Sequence, residues 1–97
     1  MTTVTREDQA STAALFSVVI PNWNGIRFLP TCLDALAQQT HQRLEIIVAD
    51  NASKDGSQDL IRSRYPHVKL VELPDNRGFT GACNAGIAAS SGDYIAL

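Results

Sequence analysis

Residues 44–57 read LEIIVADNASKDGS. The stretch 44–49 is apolar and rich in β-branched side chains apart from Glu45, and it stops at Asp50, after which the chain turns small and polar. Such a run, bounded by turn residues, reads as a strand over 44–50 buried on both faces and feeding a loop. The loop admits two readings. Asp50, Asn51, Ser53 and Asp55 suit turns and helix caps with no ligand involved. Alternatively, a carboxylate at the carboxyl end of a buried strand holds a ribose or a base, because ligands of parallel sheets settle beyond the strand ends.

Upstream, FSVVI (16–20), closed by Pro21, forms a first strand of the same buried kind. After the loop PNWNG, Leu29, Leu33 and Leu36 recur at helical spacing, with Ile26 one turn earlier. Pro30 is compatible with a first helical turn, so a helix is predicted over 27–38. Downstream, Leu60 and Ile61 fall in a short helix ended by Pro66, and VKLVEL (68–73) alternates like a half-exposed strand nearer the sheet edge. GACNAGIAASS (81–91) supplies a small-residue helix and DYIAL (93–97) a fourth strand. The order β-α-β-α-β-α-β predicts an α/β fold with a Rossmann-like parallel sheet and right-handed crossovers.

Composition narrows the function. The 97 residues are 44% hydrophobic and 19% charged, enough for one domain or part of one. A net charge of -2, scattered along the chain, gives neither the basic stripe of a nucleic-acid binder nor a polybasic membrane tract. Cys32 and Cys83 form no Cys-x-x-Cys pair and read as reduced, partly buried thiols. No apolar run approaches the ~20 residues of a membrane span. MTTVTREDQASTAA lacks a signal-peptide pattern, so residues 1–14 read as a flexible tail of a cytoplasmic protein and 15–97 as the folded part. A four-stranded open sheet of this size has a modest core and an exposed edge, which predicts marginal folding or self-association.

Three polar loops, PNWNG, DNASKDGS and PDNRGFTGACNAG, follow the first three strands and should meet at one rim. There Asp50 is a fixed acceptor, Asn51 offers an amide, Arg77 offers charge for phosphate, and Gly78 and Gly81 permit close backbone approach before a helix amino terminus. The set suits a nucleoside diphosphate. Each member has a plainer reading. Trp23 is a base-stacking platform or ordinary packing, Asn22 and Asn24 shape the turn, Arg77 is a solvated charge, and Gly86 serves tight packing. Asn84 reads as a buried amide that needs partners, and His41 and His67 as surface residues. G-x-G-x-x-G, G-x-x-x-x-G-K-[ST] and G-x-S-x-G are all absent, which disfavours a dinucleotide oxidoreductase, a P-loop NTPase and an α/β hydrolase.

FSVVIPNWNG, LEIIVADNASKDGS, NRGFTGACNAGI and SGDYIAL, in this order, resemble the amino-terminal half of glycosyltransferase family 2, enzymes of the GT-A fold. The WNG and NRGFTGACNAG forms look most like the rhamnosyltransferase and galactofuranosyltransferase branch. The resemblance implies a UDP- or dTDP-sugar donor and inverting transfer to a saccharide or lipid-linked acceptor, in polysaccharide biosynthesis at the cytoplasmic face of a membrane. It also implies a divalent cation, Mg or Mn. By the same resemblance, Pro21, Asn22 and Asn24 line the nucleotide site with Trp23 beside them, and Asp50 accepts from a pyrimidine base. Asn51 and Asp55 shape that loop, while Gly78 and Asn84 border the nucleotide and diphosphate. The family's metal-binding Asp-x-Asp comes after the strand that here reads YIAL, and its general base comes later still. No metal ligand or catalytic residue is therefore assigned, and the expectation is a truncated domain that is inactive alone. Two other readings stay open: a non-catalytic nucleotide-sugar-binding module working with a partner chain, and an unrelated α/β domain whose loops are only turns.

Overall fold

A computed structural model of the chain describes residues 14–38 and 43–96. All but the last residue of the tail expected over 1–14, together with His41 and Leu97, lies outside them. The described residues alternate as expected: β1 (Leu15–Asn22), α1 (Leu29–Ala37), β2 (Arg43–Asp50), α2 (Ser57–Arg64), β3 (Lys69–Glu72), α3 (Gly78–Ala89) and β4 (Tyr94–Ala96). The strands form one parallel sheet in the order β3-β2-β1-β4. This is the Rossmann-like α/β arrangement predicted from the alternation, with β3 at an edge as its half-exposed pattern suggested.

Both faces of the sheet are covered, which is why β2 is buried from Ile46 to Asp50 with no alternation. On one face Val18, Ile46 and Val48 pack against Leu29, Leu33 and Leu36 of α1 and against Ile61, Tyr65 and Val68. The opposite set, Val19, Ile47 and Ala49, is completely buried and looks toward α3, whose Ala82, Cys83 and Gly86 are buried in turn. Gly86 is a true close-packing glycine: a Cβ there would lie 2.3 Å from Val19 Cγ1. Cys83 is buried and Cys32 is exposed, and both are free thiols.

Element ends differ from expectation for identifiable reasons. β1 runs through Pro21 to Asn22 instead of stopping at residue 20. The Asn22 carbonyl accepts from Asn51 N at 2.8 Å, so Asn22 faces β2 and Pro21, one residue back, faces the other side. There β4 pairs only with Phe16, Ser17 and Val18, so the missing proline donor breaks no ladder bond. α1 begins at Leu29 and not at 27, because the Phe28 and Leu29 amides both turn back to the Gly25 carbonyl. α2 ends at Arg64, two residues before the proline that disfavours helix in its neighbour. α3 begins at Gly78, three residues before the expected start.

At the amino end of the sheet, the Glu45 carboxylate accepts from Ser17 Oγ at 2.7 Å, Ser91 N at 2.8 Å and Ser91 Oγ at 2.8 Å. The Ser91 backbone N–H, with help from the Ser17 hydroxyl, holds the Glu45 carboxyl below its ordinary pKa. This pins the α3–β4 connection to the sheet. At the carboxyl end, the chain steps from β1 through β2 to β3 and then crosses back to β4 on the far side of β1, so a crevice opens beyond β1. Among the described residues no helix is long and apolar enough to cross a membrane.

Candidate functional site

Asp50 sits at the centre of the carboxyl rim with no exposed surface. Its Oδ1 accepts from Asn22 Nδ2 at 2.8 Å and Ser53 Oγ at 2.7 Å, and its Oδ2 from Ser53 N at 2.9 Å and Gln58 Nε2 at 2.8 Å. Each oxygen therefore carries two donors, and the carboxylate is filled from within the chain. A base edge reaches it only by exchanging with one of those donors.

The neighbouring loop residues extend this block. Ser53 Oγ accepts from Asn24 N at 2.8 Å, and Asn24 Oδ1 accepts from Lys54 N at 2.8 Å, with Asn24 in the left-handed region at φ 52. Asp55 joins α2 to the first loop, accepting from Ser57 N and from Ile26 N, both at 3.0 Å. Burial pushes the Asp55 carboxyl up, but the donors from Ser57 and Ile26 outweigh it and the pKa lies below the ordinary value. Local turn chemistry is present at Asp50 and Asp55, which accept from backbone amides three and two residues on, whereas the Asn22 and Asn24 side chains bond across to the second loop. Among the described residues no buried side-chain polar atom lacks a partner.

Asn51 carries the block across to the third loop. Its Nδ2 donates to the Gly78 carbonyl at 3.1 Å and its Oδ1 accepts from Arg77 N at 3.1 Å, so the side-chain amide brackets the backbone of these two residues from the N–H of the first to the carbonyl of the second. The Gly78 amide donates to Asn76 Oδ1 at 2.8 Å, and Gly78 itself has φ +73, a conformation that favours glycine. These bonds explain why α3 starts at Gly78. Arg77 points its guanidinium at Asp75, 2.9 Å away, and is exposed; only its backbone belongs to the block.

Trp23 is 59% exposed, which excludes the packing alternative. It partitions two clefts beyond β1. One, of about 280 Å³, is lined by Pro21, Asn22, Trp23, Asn51, Asn76, Gly78 and Phe79. The other, of about 300 Å³, lies toward α1 and is lined by residues that include Trp23, Phe28, Leu29 and Cys32. The first cleft gathers five of the ten residues singled out from the sequence. Asp50, Asn24, Asp55 and Arg77 stand around it as supports or neighbours. Asn84 is the exception: it is exposed, not buried, because it lies about 100° around α3 from Cys83 on the stripe that meets the sheet.

Four contributors escaped the sequence reading as site residues. Ser53 was visible only as a turn residue. Gln58 acts through a pairing with Asp50 that no local pattern announces, whereas Asn76 makes a local Asx turn, accepting from the amide two residues on. Phe79 did leave a signal: it shares helical phase with Ala82, Cys83 and Gly86, and so with the sheet-facing stripe.

The rim's carboxylates do not fit a divalent cation. Asp50 and Asp55 already accept N–H and O–H donors, Asp75 is paired with Arg77, and among the described residues no three of His, Cys, Asp and Glu converge.

A profile of Glycosyl transferase family 2 matches residues 17–97. The chain is 36% identical over 84 residues to an uncharacterized glycosyltransferase of Nostoc sp., an alignment covering 84% of this chain and 26% of that relative. It thus spans about a quarter of that relative's length. Among solved structures it is similar to a mannosyltransferase from Pyrobaculum calidifontis in complex with GDP-Man and Mn2+, with TM-score 0.74 and 29% identity over 82% of this chain and 25% of that one. It is also similar to glucosyl-3-phosphoglycerate synthase from Mycobacterium tuberculosis in complex with Mn2+, UDP and glucosyl-3-phosphoglycerate, with TM-score 0.69 and 25% identity over 86% and 32% of the two chains.

Proposed function

This chain belongs to glycosyl transferase family 2, and on that premise we propose that its carboxyl rim is the donor-nucleotide site of an inverting glycosyltransferase. The donor is a UDP- or dTDP-sugar and the acceptor a saccharide or lipid-linked hydroxyl. The WNG and NRGFTGACNAG segments support a donor of the rhamnosyl or galactofuranosyl kind. The observation that carries the reading is the cleft in which an exposed tryptophan faces a left-handed glycine at a helix start, directly beyond β1.

Each residue then has a physical task. Trp23 offers an indole face to the base. Asp50 is the acceptor for the base edge, reached by exchange with the Asn22 amide on the cleft side. Asn51 fixes the Arg77 amide and the Gly78 carbonyl, and Gly78, with nothing within 4 Å of a Cβ position, leaves room for the diphosphate. The first-turn amides of α3 and the Arg77 guanidinium, once released from Asp75, answer the diphosphate charge. Pro21, Asn24 and Asp55 set the loop that carries Trp23. A divalent ion would neutralise the leaving diphosphate in the whole protein, and the rim described above is not its holder. The whole protein works at the cytoplasmic face of a membrane, and the open edges at β3 and β4 support self-association, which sedimentation over a concentration series checks.

The test is an amide-correlation NMR titration of the labelled chain with UDP and dTDP, with and without Mg2+. Shifts concentrated at Trp23, Asn51 and Gly78 are expected. A well-dispersed spectrum that does not respond to either nucleotide refutes the proposal.

A further inference from the structure

Phe79 is 69% exposed although its place on α3 is that of a core residue. It precedes the buried Ala82 by three residues, Cys83 by four and Gly86 by seven, so it belongs to the stripe that faces the sheet. At the first turn of α3 that stripe has passed the strand ends, and Phe79 overhangs the crevice instead of entering the core. Its backbone is held there, because Gly78 is gripped by Asn51 from one side and by Asn76 from the other. The same cleft is lined by Trp23, likewise exposed and likewise on a loop bonded into the rim.

The polar groups of this cleft are largely consumed by one another: the Asn22 amide by Asp50 and Ser53, the Asn51 amide by Gly78 and Arg77. What remains on offer to a ligand is the aromatic surface of Trp23 and Phe79. We infer that Phe79 is the second wall of the base site and that a nucleobase seats between the Trp23 indole and the Phe79 ring. The inference rests on the nucleotide reading above and adds to it a contact residue and a mode of recognition. Stacking needs a π-face and not a particular hydrogen-bonding edge, so the nucleoside alone carries much of the affinity.

Trp23 is the only tryptophan, so its fluorescence reports on one wall while the other is mutated. Uridine and UDP are titrated into the full chain and into F79A and F79L by fluorescence and calorimetry, with pyrophosphate and a methyl glycoside as probes that lack a base. Uridine and UDP should quench Trp23, pyrophosphate and the glycoside should not, and F79A should weaken uridine and UDP about tenfold, the lower end for loss of one stacked ring. F79L keeps the apolar bulk without the π-face and should recover only part of the loss; it decides the matter if F79A fails to fold. Unchanged affinity in the folded variants overturns the inference. Heat of UDP binding without a change in Trp23 emission overturns the sandwich and leaves the nucleotide site standing, whereas no binding of UDP or uridine by the folded wild type removes both.

Discussion

Replacing Asp50 by asparagine changes one atom and should destabilise the chain by about 3–5 kcal/mol. The native carboxylate accepts four hydrogen bonds, two on each oxygen. An amide in the same place has one oxygen and one NH2 group. If the NH2 takes the Oδ2 position it meets the Ser53 backbone N–H, which has no way to accept. At the Oδ1 position it meets Ser53 Oγ, whose hydrogen can turn away, and Asn22 Nδ2, itself a donor, so that the Asn22 amide can offer its oxygen only by flipping and giving up the Nδ2 contact with Ser53. The second placement is the better one. It leaves two bonds at neutral strength, a loss of about 1 kcal/mol each, and one buried donor opposed by another, roughly 1–3 kcal/mol. For a chain of this length the sum corresponds to a fall in Tm of about 12–40 °C. Urea unfolding followed by far-UV circular dichroism measures it, with an unchanged slope as the check that only stability has moved. A D50N variant within about 0.5 kcal/mol of wild type, well below the loss of a single charged hydrogen bond, would show that the rim is not organised around this carboxylate.

Other substitutions probe the frame. G86A forces a methyl group to within 2.3 Å of Val19 Cγ1 and should destabilise by about 1–3 kcal/mol in the same unfolding assay; a neutral result would mean that α3 does not lie that close to β1. Ala52 has φ 58, so A52G should raise the urea midpoint by relieving left-handed strain, a gain of about 0.5 kcal/mol after the extra freedom of glycine in the unfolded chain. Glu45 and Asp55 have depressed native pKa values. Their contribution is present above the unfolded carboxylate range of about pH 4 and is lost as pH falls from there through their lower native values, and E45Q should make that acid-side decline shallower in a pH series of urea midpoints.

The sequence made the alternation legible because each element carried a strong local period: the unbroken apolar run of β2, the 29-33-36 spacing of α1 and its early proline. The rim loops were legible as a place because parallel sheets put them there. What was hidden depended on distance along the chain. Asn51 grips residues 26 and 27 positions away, and that grip sets the start of α3, so composition pointed to Gly81 while a tertiary bond chose Gly78. Pro21 looked like a strand end because its missing donor matters only if a neighbour is present, and β4 does not reach it. Asn84 misled because small residues all around α3 gave no contrast from which to read its buried side, whereas Phe79, the one large residue in its first turn, was on that side all along.

The rim loops are stitched together by Asn22, Asn24, Asn51, Ser53 and Asp55, so none of them is a separable part. For anyone wishing to re-engineer ligand choice, that divides the rim into two kinds of position. The stitching residues resist change one at a time, since each substitution orphans a partner on another loop, and transplanting a single loop from a relative would tear the seam. The Trp23 and Phe79 side chains hang from the seam without holding it. Libraries confined to those two rings, and to the outward face of Arg77, can therefore explore new ligands at small expense in foldedness.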